Sequence, residues 1–276
     1  MRPVMSVEKL TVRYGQGCPY CADPANLLEK NRCPRCGSVW AARDISFELY
    51  ESEILGVVGE SGSGKTTLMR ALYFDIEIAS GRAFLSAYRN GGEDIFAASS
   101  QQQRAIRNNL LGMVYQNPVM GLLMNYSNGG NVAQKLIAAG RRNVSEMQKR
   151  AADLLGHMEI PLDRIKEPPK NFSGGMQQRV QISKAIANNP PVLLLDEVTT
   201  GLDLSVQAKV LDLIRMVQKM LNISVVVVSH DLAVIRMLSD RTIVMLDGRI
   251  IEHGFTDQIL EDPQHRFTQT LVHSLI

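Results

Sequence analysis

The chain has 276 residues, 45% apolar and 21% charged, a balance that excludes disorder of the whole chain and gives length enough for one large domain or two small ones. A net charge of +2, with no block of five like charges, excludes a polyanion-binding tail. Residues 1–10 lack the apolar core of a signal peptide, and the longest strongly apolar stretch, Ile223 to Val228, falls far short of the ~18 residues of a membrane span. The expected location is cytoplasmic, with any membrane contact made through a partner.

Val7, Leu10, Val12 and Tyr14 predict an opening strand, and Ile45, Phe47 and Leu49 alternate with polar neighbours as in a strand with one wet face. All four cysteines lie between them. Cys18-Pro19-Tyr20-Cys21 and Cys33-Pro34-Arg35-Cys36 form two C-x-x-C knuckles eleven residues apart. Four thiolates fill tetrahedral zinc without leaving an open position, so Cys18, Cys21, Cys33 and Cys36 are the expected ligands of a structural zinc knuckle inserted at 15–40. A segment this short buries no core of its own, which gives a metal its reason to be there. Cys18 to Cys21 also has the look of a glutaredoxin redox pair. That motif needs a strand before it and a helix after it, whereas Gly15-Gln16-Gly17 precedes and Ala22-Asp23-Pro24 follows. Four free thiols are the remaining alternative.

Ile54 to Gly59 is apolar on both faces. From there buried strands alternate with helices: Gly64 to Phe74 helical, Leu111 to Gln116 strand, Val192 to Asp196 strand, Leu204 to Leu221 helical, Ser224 to Ser229 strand. This is the order of an α/β fold with a parallel sheet covered by helices. Residues 117–187 break the alternation with helical periods at Glu146–Met158 and Gly175–Ile186, so a helical subdomain is expected there. Asp247-Gly248 marks a hairpin turn, and 253–276 is expected to be a helical tail.

Gly59-Glu60-Ser61-Gly62-Ser63-Gly64-Lys65-Thr66 satisfies G-x-x-x-x-G-K-[ST] between a buried strand and a helix. Glycines let backbone N–H groups curl around phosphate, Lys65 adds a point charge, and the Thr66 hydroxyl suits Mg²⁺. Asp196 and Glu197 end an apolar strand, where α/β sheets bind ligands. Asp196 suits Mg²⁺ through water, and Glu197 suits polarising the attacking water. Ser173 at an N-cap position, followed by Gly174 and Gly175, exposes helix N–H groups as a second anion site.

With Gly201-Leu202-Asp203 and His230 added, the sequence resembles an ATP-binding-cassette ATPase over nearly its whole length, 15–40 excepted. The resemblance implies a P-loop NTPase fold with an antiparallel β subdomain and one cassette domain over 1–276. It implies that Gly59, Ser61, Gly62, Ser63, Gly64, Lys65, Thr66 and Thr67 form the Walker A loop. Gln116 becomes the Q-loop glutamine, a further magnesium ligand. Ser173, Gly174, Gly175 and Gln177 become the signature, Asp196 the Walker B acid, Glu197 the catalytic carboxylate, Asp203 part of the D-loop and His230 the switch histidine. Tyr14 is the candidate aromatic face for adenine. Val198 replaces the family's usual proline after Glu197, with a small effect expected on the turn. The signature of one copy is expected across the γ-phosphate held by another, giving a homodimer that sandwiches two ATP.

Ser127 to Asn131, Glu159 to Ile165, Phe172 to Arg179 and Asp203 to Leu213 look most like the cassette subunit of carbon–phosphorus lyase systems for phosphonate breakdown. That resemblance implies lyase-core subunits, and a second cassette ATPase, as partners. Asp262 to Thr268 also resembles the tail of peptide and nickel importer ATPases, whose partner is a membrane permease. An excision-repair type of DNA ATPase is the alternative from another class; the single cassette and the small net charge speak against nucleic acid.

Overall fold

The computed structural model describes residues 2–23, 26 and 28–273. Residues 24, 25 and 27 of the expected insertion and 274–276 of the expected tail lie outside the described residues. The chain divides into two compact units, Met1–Ala98 with Val227–Ile276, and Ser99–Val226.

The first unit opens on β1 (Pro3–Tyr14), a one-turn helix α1 (Pro19–Ala22) and β2 (Val39–Tyr50). β1 and β2 pair antiparallel, Tyr14 opposite Val39 and Val7 opposite Phe47, so the cysteine segment is the loop of a long hairpin. β3 (Ile54–Val58) is buried at every position, as its unbroken apolar run requires. α2 (Lys65–Leu72) follows, and β4 (Ser80–Leu85) pairs with the other edge of β1, giving the order β2-β1-β4. α2 is shorter than the expected 64–74 at both ends. Gly64, at φ 102, is a left-handed residue outside the helix, and Phe74, at φ 60, turns the chain away after it.

The second unit begins with α3 (Ser100–Asn109), opened by a capping box in which Ser99 and Gln102 serve each other's backbone N–H. β5 (Leu111–Val114) comes next, and the chain is then helical through α4 (Pro118–Gly121), α5 (Asn128–Ala138), α6 (Val144–His157) and α7 (Gly174–Ala185). Ser127, Asn143 and Ser173 cap the last three with side-chain oxygens. β6 (Val192–Asp196) pairs parallel with β5, Leu111 opposite Val192. α8 (Leu204–Leu221) ends at left-handed Asn222 and leads into the buried β7 (Ser224–Val228), completing the order β5-β6-β7.

The chain returns to the first unit through α9 (Leu232–Leu238), β8 (Arg241–Leu246), β9 (Arg249–Phe255), α10 (Thr256–Glu261) and α11 (Arg266–His273). β8 runs parallel to β3 and antiparallel to β9, through the expected turn with both Asp247 and Gly248 at positive φ. Because β9 continues to Phe255, the C-terminal helices start at Thr256 and not at 253. Among the described residues no helix is long and apolar enough to cross a membrane.

Candidate nucleotide site and cysteine cluster

In the first unit the chain leaves β3 at Gly59, loops, and enters α2 at Lys65. Only glycine fits at 64: a Cβ there would sit 1.8 Å from the Ala41 carbonyl oxygen, and φ is 102. Lys65 is 4% exposed. Its Nζ donates to the carbonyls of Gly59 at 2.7 Å and Glu60 at 2.8 Å, and to Ser63 Oγ at 3.4 Å. A fixed positive charge is therefore folded against the loop. No side chain caps α2, whose N-terminus opens onto the loop, and Ser61, Gly62 and Thr66 are exposed while Thr67 is half-buried. The whole arrangement is suited to a polyphosphate. Ser229, just after β7, donates its N–H to the Val57 carbonyl, which places exposed His230 at the same strand ends as Gly59. Tyr14 stands at the end of β1 and is 46% exposed.

In the second unit Asp196 closes β6 and is 2% exposed, while Glu197 follows in a left-handed conformation at φ 46. That backbone is strained for a non-glycine residue and turns the carboxylate off the strand. Gln116 Nε2 donates to Glu197 Oε2 at 3.0 Å, and Thr200 Oγ1 donates to the same oxygen at 3.2 Å. Thus two expected site residues, 81 positions apart, are in direct contact. Ser173 caps α7, Gly174 is exposed, and Gly175 is packed so close to α8 that a Cβ would lie 2.5 Å from Val206 Cγ1. Gln177 turns back to the carbonyls of Pro169 and Phe172 at 3.1 and 3.0 Å. Asp203 is exposed ahead of α8.

Sequence reasoning missed two residues of α7. Gln181, 1% exposed, accepts the Tyr115 N–H at 2.7 Å and donates to the Tyr115 carbonyl at 3.0 Å. Gln178 also donates to that carbonyl, at 3.3 Å, and accepts from Gln181 at 3.1 Å. Both backbone groups of the residue before Gln116 are taken by side chains. That is why β5 stops at Val114 and not at the expected Gln116. The signal was present in the sequence as two amides three apart on one helix face, a position where burial demands partners.

None of the four cysteines is in a disulfide. All four sulfurs lie within 4.8 Å of one another, and Cys18–Cys21, Cys18–Cys33 and Cys21–Cys36 are each 3.8 Å apart. With Zn–S near 2.3 Å, the edge of a tetrahedron of thiolates is about 3.8 Å. The Ser38 hydroxyl and amide draw the Cys36 thiol down to about 6. The Cys21 backbone favours a thiolate at Cys18, but desolvation and the neighbouring sulfurs push Cys18 up to about 11. Such a cluster accommodates four negative sulfurs only around a cation. The Trp40 indole N–H, buried and without a conventional hydrogen-bond partner, favours the Cys21 thiolate against burial. The donor set and its spacing fit zinc.

Residues 42–200 match the family model described as ABC transporter. The chain is 43% identical over 233 residues to PhnK of Escherichia coli (strain K12), an ATP-binding protein named for phosphonates utilization, covering 84% of this chain and 90% of that protein. It is 36% identical over 241 residues to the oligopeptide transport ATP-binding protein OppD of Bacillus subtilis (strain 168), covering 87% and 67%. Among solved structures it resembles the dimeric ATP-binding cassette MJ0796 bound to ADP and Pi, with a TM-score of 0.75 and 26% identity over 91% of this chain and 98% of that one.

Proposed function

Since the chain belongs to the ABC transporter family as one of its ATP-hydrolysing cassettes, we propose that its cycle of closing and opening remodels a carbon–phosphorus lyase assembly for phosphonate breakdown. The observation that carries this reading is the 43% identity to PhnK across 90% of that protein, above the 36% shared with OppD. Capture of the tagged chain from its native cell tests it. Soluble lyase-core subunits, with or without a second cassette ATPase, are the expected catch; integral-membrane permeases would overturn the reading in favour of a peptide or nickel importer, and no nucleic acid is expected.

The chemistry is assigned residue by residue. Magnesium, when bound, neutralises charge on the phosphates; Thr66, Gln116 and Asp196 are its ligands in this reading. Gly59 to Thr67 wrap the phosphates with main-chain N–H groups, Lys65 supplies the point charge, and Tyr14 offers its ring to adenine. Glu197 takes a proton from the attacking water, oriented by its bond to Gln116, while His230 senses the γ-phosphate. Ser173, Gly174, Gly175 and Gln177, with Asp203, serve the nucleotide of a second copy in a homodimer that sandwiches two ATP. Cys18, Cys21, Cys33 and Cys36 hold structural zinc; elemental assay of anaerobically purified protein should give one zinc per chain, and less than half would contradict the assignment. Glu197→Gln should bind ATP yet turn over about 10² to 10⁴ times more slowly, the usual loss with a general base. Near-normal turnover would remove Glu197 from its role.

A further inference from the structure

The cysteine loop ends against the phosphate loop. The two knuckles meet at Ser38, whose Oγ accepts from the Gly17 N–H at 2.9 Å and whose carbonyl accepts from the Cys33 N–H at 2.8 Å. Two residues on, the Trp40 N–H donates to the Asn31 carbonyl at 2.8 Å. The ring of Trp40 lies beside two guanidinium groups, Arg13 at 5.4 Å and Arg43 at 4.9 Å, which fixes the start of β2.

From this base three contacts reach three successive residues of the phosphate loop. Asn31 Nδ2 donates to the Gly62 carbonyl at 3.5 Å. Gly248, whose carbonyl accepts from the Arg43 N–H at 2.7 Å, donates its own N–H to the Ser63 carbonyl at 3.1 Å. The Ala41 carbonyl abuts Gly64. Two of these three contacts are backbone interactions made by β2 and the β8–β9 turn. The first comes from a side chain in the middle of the insertion, two residues before Cys33.

Asn31 stands two residues before Cys33, in a strip bridged to β2 at Arg32 and Val39 and tied at its end into the cysteine cluster. A metal that joins Cys33 to Cys18 and Cys21 narrows the conformations open to residues 28–32 and holds the Asn31 amide over Gly62. A loop ordered in advance loses less entropy when phosphate arrives, so the nucleotide binds more tightly. We propose that the metal-loaded cysteine knuckle is a clamp on the phosphate loop, with Asn31 as its positioning residue, so that zinc occupancy raises the affinity for MgATP. The proposal rests on the zinc reading above and adds a link from metal to nucleotide.

The test uses the full-length chain, magnesium with the non-hydrolysable analogue AMPPNP as probe, calorimetric affinity, and zinc content of every sample. Asn31→Ala keeps all four thiols. It should retain one zinc per chain and bind AMPPNP roughly three- to tenfold more weakly, the loss expected of one hydrogen bond. Asn31→Gln, which retains an amide donor, should recover part of that loss, an outcome a merely structural asparagine would not give. Cys36→Ser should lower zinc and AMPPNP affinity together; if it does not fold, the Asn31 pair decides alone. One zinc per chain with AMPPNP affinity unchanged in Asn31→Ala overturns the clamp and leaves the zinc assignment standing. Wild-type protein with less than half a zinc overturns both.

Discussion

Gln181 engages both backbone groups of Tyr115 with its amide, and Tyr115 delivers Gln116 to Glu197. Gln181→Met, close in shape and without the amide, takes the Gln181 acceptor from the half-buried Tyr115 N–H and should cost about 1–3 kcal/mol of stability. Turnover should also fall about tenfold, the effect of ~1.4 kcal/mol on the barrier, while AMPPNP affinity stays as it was. Thermal melting and steady-state kinetics on the same sample check both; a destabilised variant with wild-type turnover would show that Gln181 only holds the helix in place. The loop between β3 and α2 and the strand that ends at Asp196 were legible in the sequence because each motif is contiguous and sits between recognisable neighbours. Gln181 was missed because its partner lies 66 positions away, so the pair of amides on one face of α7 pointed to burial without naming what they meet.

At the scale of elements, α8 and β6 emerged from the sequence with their observed bounds, since eighteen residues of helical period and four apolar residues closed by Asp196 leave little choice. β4 and α3 gave no such signal: β4 is half exposed along its length and α3 buries Ile106 alone. α5 carries a charge that its surroundings resist. Lys135 donates to the carbonyls of Arg107 at 2.7 Å and Leu111 at 3.3 Å, and burial, reinforced by Arg107 and Lys184, pushes its ammonium from 10.5 down to about 7. Between these values the unfolded chain binds the proton and the folded chain has released it, so the folded state gains stability as pH rises through that window. Below about 7 both forms are protonated and the gain is gone. Lys135→Met should therefore show its greatest advantage over wild type, or its smallest deficit, near pH 6.5, and lose ground by pH 9.5; parallel melting curves at the two values would argue against a strained ammonium.

For the whole molecule, the expected functional particle is a pair. A Glu197→Gln chain saturated with MgATP should sediment as a dimer and return to monomer when nucleotide is removed. Monomer at concentrations far above saturation would leave Ser173 and its glycines without a phosphate to meet.

The loop after β3 is held in place by residues far along the chain. β3, from which the phosphate loop springs, has β8 as its parallel neighbour, and that strand begins at Arg241, while the Ser63 carbonyl waits for the N–H of Gly248. A chain cut after Asp240 keeps the loop, Asp196, Glu197 and His230, yet lacks β8 along one edge of β3. Truncation after Asp240 should accordingly yield a polypeptide that keeps the loop's sequence and shows no calorimetric binding of MgATP, because the shape of the loop belongs to the paired strands and not to the motif alone.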